Sequence, residues 1–176
     1  MKPPSCTLLV IFGPPAVGKM SVGREISDRT GYPLFHNHVA IEPVLKVFPY
    51  GAPAFSRLVS QFRRSVLDEA AASDLPGIIF TFVWGFDLPE DQALIDSYSA
   101  LFTSRGGRVL FLELEAQLDE RLRRNEDPRR LAEKPSKNDI EASRTNLLDW
   151  HVGHQLNSTT EFGGLENYLR ACWQRG

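Results

Sequence analysis

Residues 13–21 of the chain read GPPAVGKMS, which contains the spacing G-x-x-x-x-G-K. The apolar run 7–12 precedes this stretch, and a helical pattern begins at Lys19. Between a strand and a helix, this spacing is typical of a phosphate-binding loop, because glycines let backbone amides approach phosphate oxygens and the helix N-terminus adds positive charge. An ordinary glycine turn that caps a helix is the alternative, but chance rarely supplies the strand, both glycines and the lysine together. We predict that these residues bind the phosphates of a nucleotide: Gly13, Pro14, Ala16, Val17, Gly18, Lys19, Met20 and Ser21.

The position after Lys19 departs from the usual motif, in which a Ser or Thr hydroxyl follows the lysine. Met20 offers only a thioether, whereas Mg2+ prefers oxygen ligands. Ser21 is the candidate metal ligand, and the alternative is that water and phosphate hold the metal. The loop resembles that of adenylate kinases and other nucleoside-monophosphate kinases, G-P-P-G-x-G-K-G-T, whose hydroxyl residue also comes one place late. This resemblance implies ATP and Mg2+ as cofactors.

Apolar runs alternate with helical patterns along the chain, which is typical of an α/β protein with a parallel sheet. The predicted strands are residues 7–12, 33–36, 77–83, 108–114 and 154–157. The predicted helices are residues 19–30, 55–73, 89–105, 115–125, 137–150 and 164–173.

Composition narrows the class of protein. The 176 residues fit one domain, with 42% hydrophobic and 24% charged residues. A net charge of -2 gives no reason to expect nucleic acid as a partner. No apolar run approaches the roughly 20 residues of a membrane span, and no signal peptide is recognisable, so we expect a cytoplasmic protein without membrane association. Cys6 and Cys172 lack metal-ligand spacing and are expected to be buried thiols.

The second predicted strand ends in FHNHVAIE, residues 35–42. Its frame resembles the shikimate kinase pattern F-x-D-x-D-x-x-I-E, with His36 and His38 at the positions of the two aspartates. An imidazole can accept a hydroxyl proton at neutral pH, so His38 is the candidate base. His36 is a candidate for orienting phosphate or metal-bound water. The alternative for both residues is a hydrogen-bonded rim at the end of the strand.

The third predicted strand leads into TFVWG, residues 81–85, where shikimate kinases have glycines. The bulky residues argue against shikimate as the acceptor. Trp84 is a candidate wall for an apolar or aromatic acceptor, with core packing as the alternative. Asp87 is an alternative base. Three arginines of the predicted cap region, about 39–72, which precedes this strand, are candidates for binding an anionic acceptor, with a solvated helix face as the alternative: Arg57, Arg63 and Arg64.

A charged segment after the fourth strand reads LDERLRRNEDPRRLAEKPSK. In shikimate kinases, adenylate kinases and chloramphenicol phosphotransferases the corresponding segment is a mobile lid, here about 123–137, whose arginines close over the transferring phosphoryl group. The resemblance implies catalytic roles for Arg121 and for Arg129 or its neighbour Arg130, and nucleotide contacts for Arg121 and Arg124, although many such charges are simply solvated. Thr159 corresponds to a turn beside the adenine, or else caps a helix.

The resemblance covers nearly the whole chain. It implies a single three-layer P-loop domain with a five-stranded parallel sheet of order 2-3-1-4-5, flanked by helices. The expected function is ATP-dependent transfer of the γ-phosphoryl group to a small-molecule acceptor. Lys19 would hold the phosphates and His38 or Asp87 would contact the acceptor. The alternatives are a nucleoside or nucleotide kinase and an ATP-binding sensor without turnover. We expect a monomer or a homodimer.

Overall fold

The computed structural model describes residues 6–128, 136 and 139–158, together with the backbone of residues 168–172. The strands are β1 (Thr7–Phe12), β2 (Leu34–Phe35), β3 (Gly77–Phe82), β4 (Arg108–Glu115) and β5 (Tyr168–Cys172). They pair in the order β2-β3-β1-β4-β5, and each pairing is parallel. The first four strands therefore lie in the predicted order.

The helices follow the strands in alternation. Their bounds are α1 (Lys19–Thr30), α2 (Asn37–Leu45), α3 (Pro53–Ala72), α4 (Pro89–Thr103), α5 (Leu118–Asn125) and α6 (Ile140–Gly153). Both α3 and α4 begin with proline, whose fixed φ suits the first turn and whose missing N–H is not needed there. The predicted cap region corresponds to most of α2, a short turn, and α3.

Three layers result because β1 and β3 bury side chains on both faces. One face of the sheet, which includes Leu8 and Phe80, packs against α2, α3 and α4. The opposite face, which includes Ile11 and Ile79, packs against α1. All six residues of β3 are buried. Apolar runs without alternation are what strands covered on both faces require, so the sequence pattern and the layers agree.

The fifth strand was predicted wrongly. Residues 154–157 form no strand but a loop after α6, and β5 lies inside the segment 164–173 that was predicted to be a helix. The backbone of β5 pairs with β4 from Phe111 to Glu115. Pairing with an existing strand edge overrides the weak local preference of so short a segment, which is why the sequence pattern misled.

Two further expectations concerned membrane-spanning segments and the state of the cysteines. None of the helices in the described part of the chain has the length and hydropathy of a membrane span. Cys6 is a free thiol, 3% exposed, and burial raises its pKa. The side chain of Cys172 lies outside the described residues.

Candidate active site

The loop between β1 and α1 has a backbone that suits close contact with an anion. Gly13, Ala16 and Gly18 have φ values of 135°, 61° and 111°. A Cβ atom on Gly13 would lie 2.3 Å from the carbonyl oxygen of Leu114 in β4. Glycine is therefore required at position 13 for packing as well as for conformation. The left-handed Ala16 is an uncommon state for a residue with a side chain, and such strain concentrates at functional sites.

Lys19 places its ammonium on this loop. Its Nζ donates hydrogen bonds to the carbonyl oxygens of Gly13 at 2.6 Å and Pro14 at 2.8 Å. Lys19 also begins α1, so the positive end of the helix dipole and the ammonium are at the same place. The loop therefore combines the three features that bind phosphate: flexible glycines, a helix N-terminus and a mobile cation.

Arg124, the last arginine of α5, reaches across to the same loop. Its Nη1 donates to the carbonyl oxygen of Val17 at 2.6 Å, and its Nε donates to Glu120 Oε1 at 2.6 Å. Glu120 also binds Arg123, and the hydrogen bonds from Arg123 and Arg124 lower the pKa of Glu120 to about 2. A second cation is thus held beside the loop; its predicted contact with a nucleotide stays a prediction.

Arg121 points elsewhere. It is 2% exposed, its Nη2 donates to His151 Nδ1 of α6 at 2.9 Å, and burial lowers its pKa. Its Nε and Nη1 have no hydrogen-bond partner among the described residues. Nearby, Ser143 of α6 donates to the buried Asn125 at 3.0 Å. The described structure therefore places Arg121 in the contact between α5 and α6, not on the cavity described below.

A cavity of about 1170 Å³ begins at the phosphate loop. It runs along the carboxyl ends of the strands, past α2 and α3, to α6. Its walls include half of the predicted site residues: Ala16, Gly18, Lys19, Met20, Ser21, His36, His38, Arg63 and Arg124. A cavity of this size exceeds the roughly 300–1,000 Å³ of a typical small-molecule pocket, which leaves room for two ligands.

The two histidines stand where β2 passes into α2. His36 caps the helix with extended backbone, and the amide of Asn37 donates to Thr81 Oγ1 of β3 at 3.1 Å. His38 lies one turn before Glu42, and its Nδ1 is 3.0 Å from Glu42 Oε1. The hydrogen bond to β3 fixes the start of α2 against the sheet, so both imidazoles are positioned at the cavity wall.

Arg63 lies at the other end of the cavity, on α3. Burial lowers the pKa of its guanidinium, while the nearby Tyr98, Tyr50 and Asp91 raise it. Its Nε is buried and has no hydrogen-bond partner in the described part of the chain. Asp91 also lines the cavity, but one of its carboxylate oxygens already accepts the amide of Gly85 at 2.9 Å. Arg63 is therefore a half-buried cation in the wall of the cavity.

Several predicted residues are not brought to the cavity. Trp84 is 3% exposed and packs in the core against Phe12 and Phe86, with ring centroids 5.1 and 5.0 Å apart. Asp87 is exposed, accepts hydrogen bonds from His154 and the amide of Gln155, and has its pKa lowered chiefly by His154. Arg57 and Arg64 are exposed on the outer face of α3. For Trp84, packing rather than acceptor binding accounts for the position.

Two predicted residues, Arg129 and Thr159, lie outside the described residues, as does most of the predicted lid. Sequence reasoning missed four further residues, two of which line the cavity. Ser136 lines the cavity, and so does Trp150 of α6. Glu42, bound to both His38 and Ser136, could have been found from its i, i+4 spacing after His38. Glu113 near the end of β4 is fully buried and accepts a hydrogen bond from the hydroxyl of Ser158. Its position inside an apolar run is the one feature of the sequence that could have indicated a buried carboxylate.

The donors for a metal are sparse. Among the described residues, no group of three or more His, Cys, Asp or Glu side chains could hold a metal ion. Ser21 is exposed at the cavity, next to Met20. These residues fit a magnesium ion that is carried mainly by phosphate and water with one hydroxyl ligand, which is a common mode for this ion.

Comparison with known proteins gives the fold. No protein-family model and no curated protein sequence matches the chain. Among solved structures, a candidate kinase from Chloroflexus aurantiacus superposes with a TM-score of 0.59 at 12% identity, over 96% of this chain and 88% of that one. The APS kinase CysC of Mycobacterium tuberculosis, in complex with AMPPNP and APS, superposes with a TM-score of 0.58 at 13% identity, over 99% and 92%. The likeness extends over nearly all of both chains, and the protein has the fold of P-loop kinases.

Proposed function

We propose that the protein transfers the γ-phosphoryl group of ATP, with Mg2+, to a small-molecule acceptor in the cytoplasm. The observation that carries this proposal is the continuous cavity that joins the phosphate loop to the wall formed by His38 and Arg63. A protein that only binds a nucleotide needs the first part of that cavity. A phosphotransferase needs both parts, because donor and acceptor must meet.

On the donor side, the loop amides and Lys19 bind the phosphates. When phosphate enters, its oxygens replace the carbonyl oxygens of Gly13 and Pro14 as partners of the ammonium. Arg124 adds a second cation beside the loop. Cations that already face the transferred group stabilise the charge that spreads over its oxygens in the transition state. Magnesium would supply further charge neutralisation, with Ser21 as its protein ligand. The AMPPNP of the APS kinase neighbour supports nucleotide as the donor.

On the acceptor side, Arg63 binds an anionic group of the acceptor, and His38 accepts the proton of the hydroxyl that is phosphorylated. A half-buried guanidinium strongly favours an anion over a neutral group, because a charged partner recovers more of the lost hydration. The acceptor is therefore a small hydroxyl compound that carries a carboxylate, sulfate or phosphate. A nucleoside monophosphate meets this description, but only Arg63 of the three α3 arginines lines the cavity, so nothing specific favours a nucleotide acceptor.

The experiment is a measurement of ADP release from ATP and Mg2+ across a panel of hydroxy acids, sugar phosphates, nucleosides and nucleoside monophosphates. Lys19→Ala is the inactive variant. Lys46→Ala is the matched control, because Lys46 is exposed and does not line the cavity. An acceptor that raises ADP release in the parent and in Lys46→Ala, but not in Lys19→Ala, supports the proposal. Tight ATP binding without stimulation of ADP release by any anionic acceptor would instead favour an ATP-binding sensor. This is the second candidate function, because Met20 stands where the motif usually has a hydroxyl ligand for magnesium.

A further inference from the structure

Glu42 has a role that the proposed reaction does not yet assign. Its Oε1 lies 3.0 Å from His38 Nδ1, and the two side chains are only 22% and 16% exposed. Oε1 also accepts the hydroxyl of Ser136 at 2.5 Å, and Oε2 accepts the amide of Ser136 at 3.3 Å. Both His38 and Ser136 line the cavity. The carboxylate is therefore held by a second partner and cannot easily turn away from the imidazole.

A carboxylate only accepts hydrogen bonds when it is ionised, so the proton between the two side chains belongs to His38 Nδ1. A neutral imidazole carries one N–H, and a proton on Nδ1 makes Nε2 the basic atom. In water the opposite tautomer of histidine prevails. Glu42 thus selects the less common tautomer of the candidate base.

We propose that Glu42 is a positioning residue that holds His38 in the Nδ1–H tautomer, so that Nε2 receives the proton of the acceptor hydroxyl. This inference rests on the proposed function. In the transfer, the O–H bond breaks and its proton goes to Nε2, the hydroxyl oxygen forms a bond to the γ-phosphorus, and the bond from that phosphorus to the β-phosphate oxygen breaks, releasing ADP. The resulting imidazolium is stabilised by the ionised Glu42 and afterwards returns the Nε2 proton to water.

The competing explanation is an ordinary i, i+4 pair that only stabilises a helix surface. The chain contains such a pair in Glu25 and Arg29, whose side chains are 61% and 76% exposed. Glu42 differs by its low exposure and by its contact with two residues, His38 and Ser136, that line the cavity. A surface pair that exchanges freely with water leaves the imidazole close to its tautomer distribution in water, and this difference can be measured.

The test is an NMR measurement on the full chain with 15N-labelled histidine, carried out above the pH at which the His38 signals stop shifting, so that its imidazole is neutral. The chain has four histidines, and His38→Asn identifies the signals of His38. Long-range 1H–15N correlations report which ring nitrogen carries the proton. We expect the Nδ1–H form in the parent, the Nε2–H form in Glu42→Met, and recovery of the Nδ1–H form in Glu42→Gln, whose amide oxygen can still accept. Glu25→Met is the matched control and leaves the His38 signals in place.

An Nε2–H tautomer in the parent overturns the proposal, and so does an unchanged tautomer in Glu42→Met. If Glu42→Met does not fold, Glu42→Ala takes its place, and an Nε2–H tautomer in the parent overturns the proposal in either case. None of these spectra requires an acceptor, so the result is independent of the search for the substrate. Once an acceptor is found, we expect Glu42→Met to lower kcat by about tenfold to a hundredfold, with KM of the acceptor changed by less than about threefold. A rise in KM at unchanged kcat would instead assign Glu42 to acceptor binding and refute the positioning role.

Discussion

Gly13→Ala tests the idea that packing, in addition to phosphate binding, requires the first glycine of the loop. The new Cβ would lie 2.3 Å from the carbonyl oxygen of Leu114 and 3.2 Å from its carbonyl carbon. These atoms belong to the backbone of β4 and cannot rotate away, so β1 and β4 must separate locally. Such overpacking costs about 1–3 kcal/mol. The φ of 135° adds about 1–3 kcal/mol for a residue with a side chain. Together these are a large part of a typical stability of about 5–15 kcal/mol.

Gly31→Ala provides the matched control, because Gly31 also has a positive φ, 74°, but a Cβ there would meet nothing within 4 Å. Both substitutions lower the entropy of the unfolded chain equally, so that contribution cancels. We expect the free energy of unfolding, measured by urea titration, to fall by about 4 kcal/mol in Gly13→Ala and about 1 kcal/mol in Gly31→Ala. Equal losses in the two variants would refute the packing argument, and the requirement for Gly13 would then concern the ligand.

Three further changes test separate parts of the site. Arg124→Met should weaken ATP binding about tenfold in a calorimetric titration, because a charged hydrogen-bonding group beside the loop is lost. Arg123 binds Glu120 instead, so Arg123→Met should change ATP binding less than about twofold. Equal effects of the two substitutions would contradict the role of Arg124. Trp84→Phe should lower the free energy of unfolding by roughly 1–2 kcal/mol because it leaves a void in the core, and an increased KM for the acceptor would show instead that the indole contacts substrate. The pKa of Glu120 is lowered from 4.5 to about 2 in the folded state, so its contribution to stability is present above pH 4.5 and is lost as the pH falls towards 2. The difference in unfolding free energy between the parent and Glu120→Gln should therefore shrink over that range. A constant difference would contradict the pairing of Glu120 with Arg123 and Arg124.

The phosphate loop and the central strands could be predicted because they depend on local patterns. β1 is a continuous apolar run, and Gly13, Gly18 and Lys19 are required by the geometry of one short turn. β5 could not be predicted in the same way. Its pairing partner, β4, lies more than fifty residues earlier in the chain, and nothing within residues 164–173 indicates that an open strand edge is waiting there.

The side chains that line the far part of the cavity were predicted only in part for a related reason. His38 was recognised from its place at the end of a strand, but Trp84 and Asp87, at the end of the next strand, were expected to face the same space. Successive residues of an extended chain point in opposite directions, so a position next to the site does not say which side chain enters it. Trp84 turned into the aromatic cluster with Phe12 because burial of its large ring is favourable.

The replacement of an aspartate by His38 fits the charges of the cavity in the proposed reaction. A triphosphate and an anionic acceptor repel each other, and a carboxylate base between them would add a third negative charge. At an effective dielectric constant of about 20, two unit charges 4 Å apart interact by about 4 kcal/mol. A neutral imidazole removes this repulsion before transfer and becomes positive during transfer, when negative charge is greatest. The carboxylate that remains, Glu42, lies behind the imidazole against Ser136. In the proposed reaction, Glu42 therefore supports His38 as the base from behind, while a neutral ring and not a carboxylate lies between the two anions.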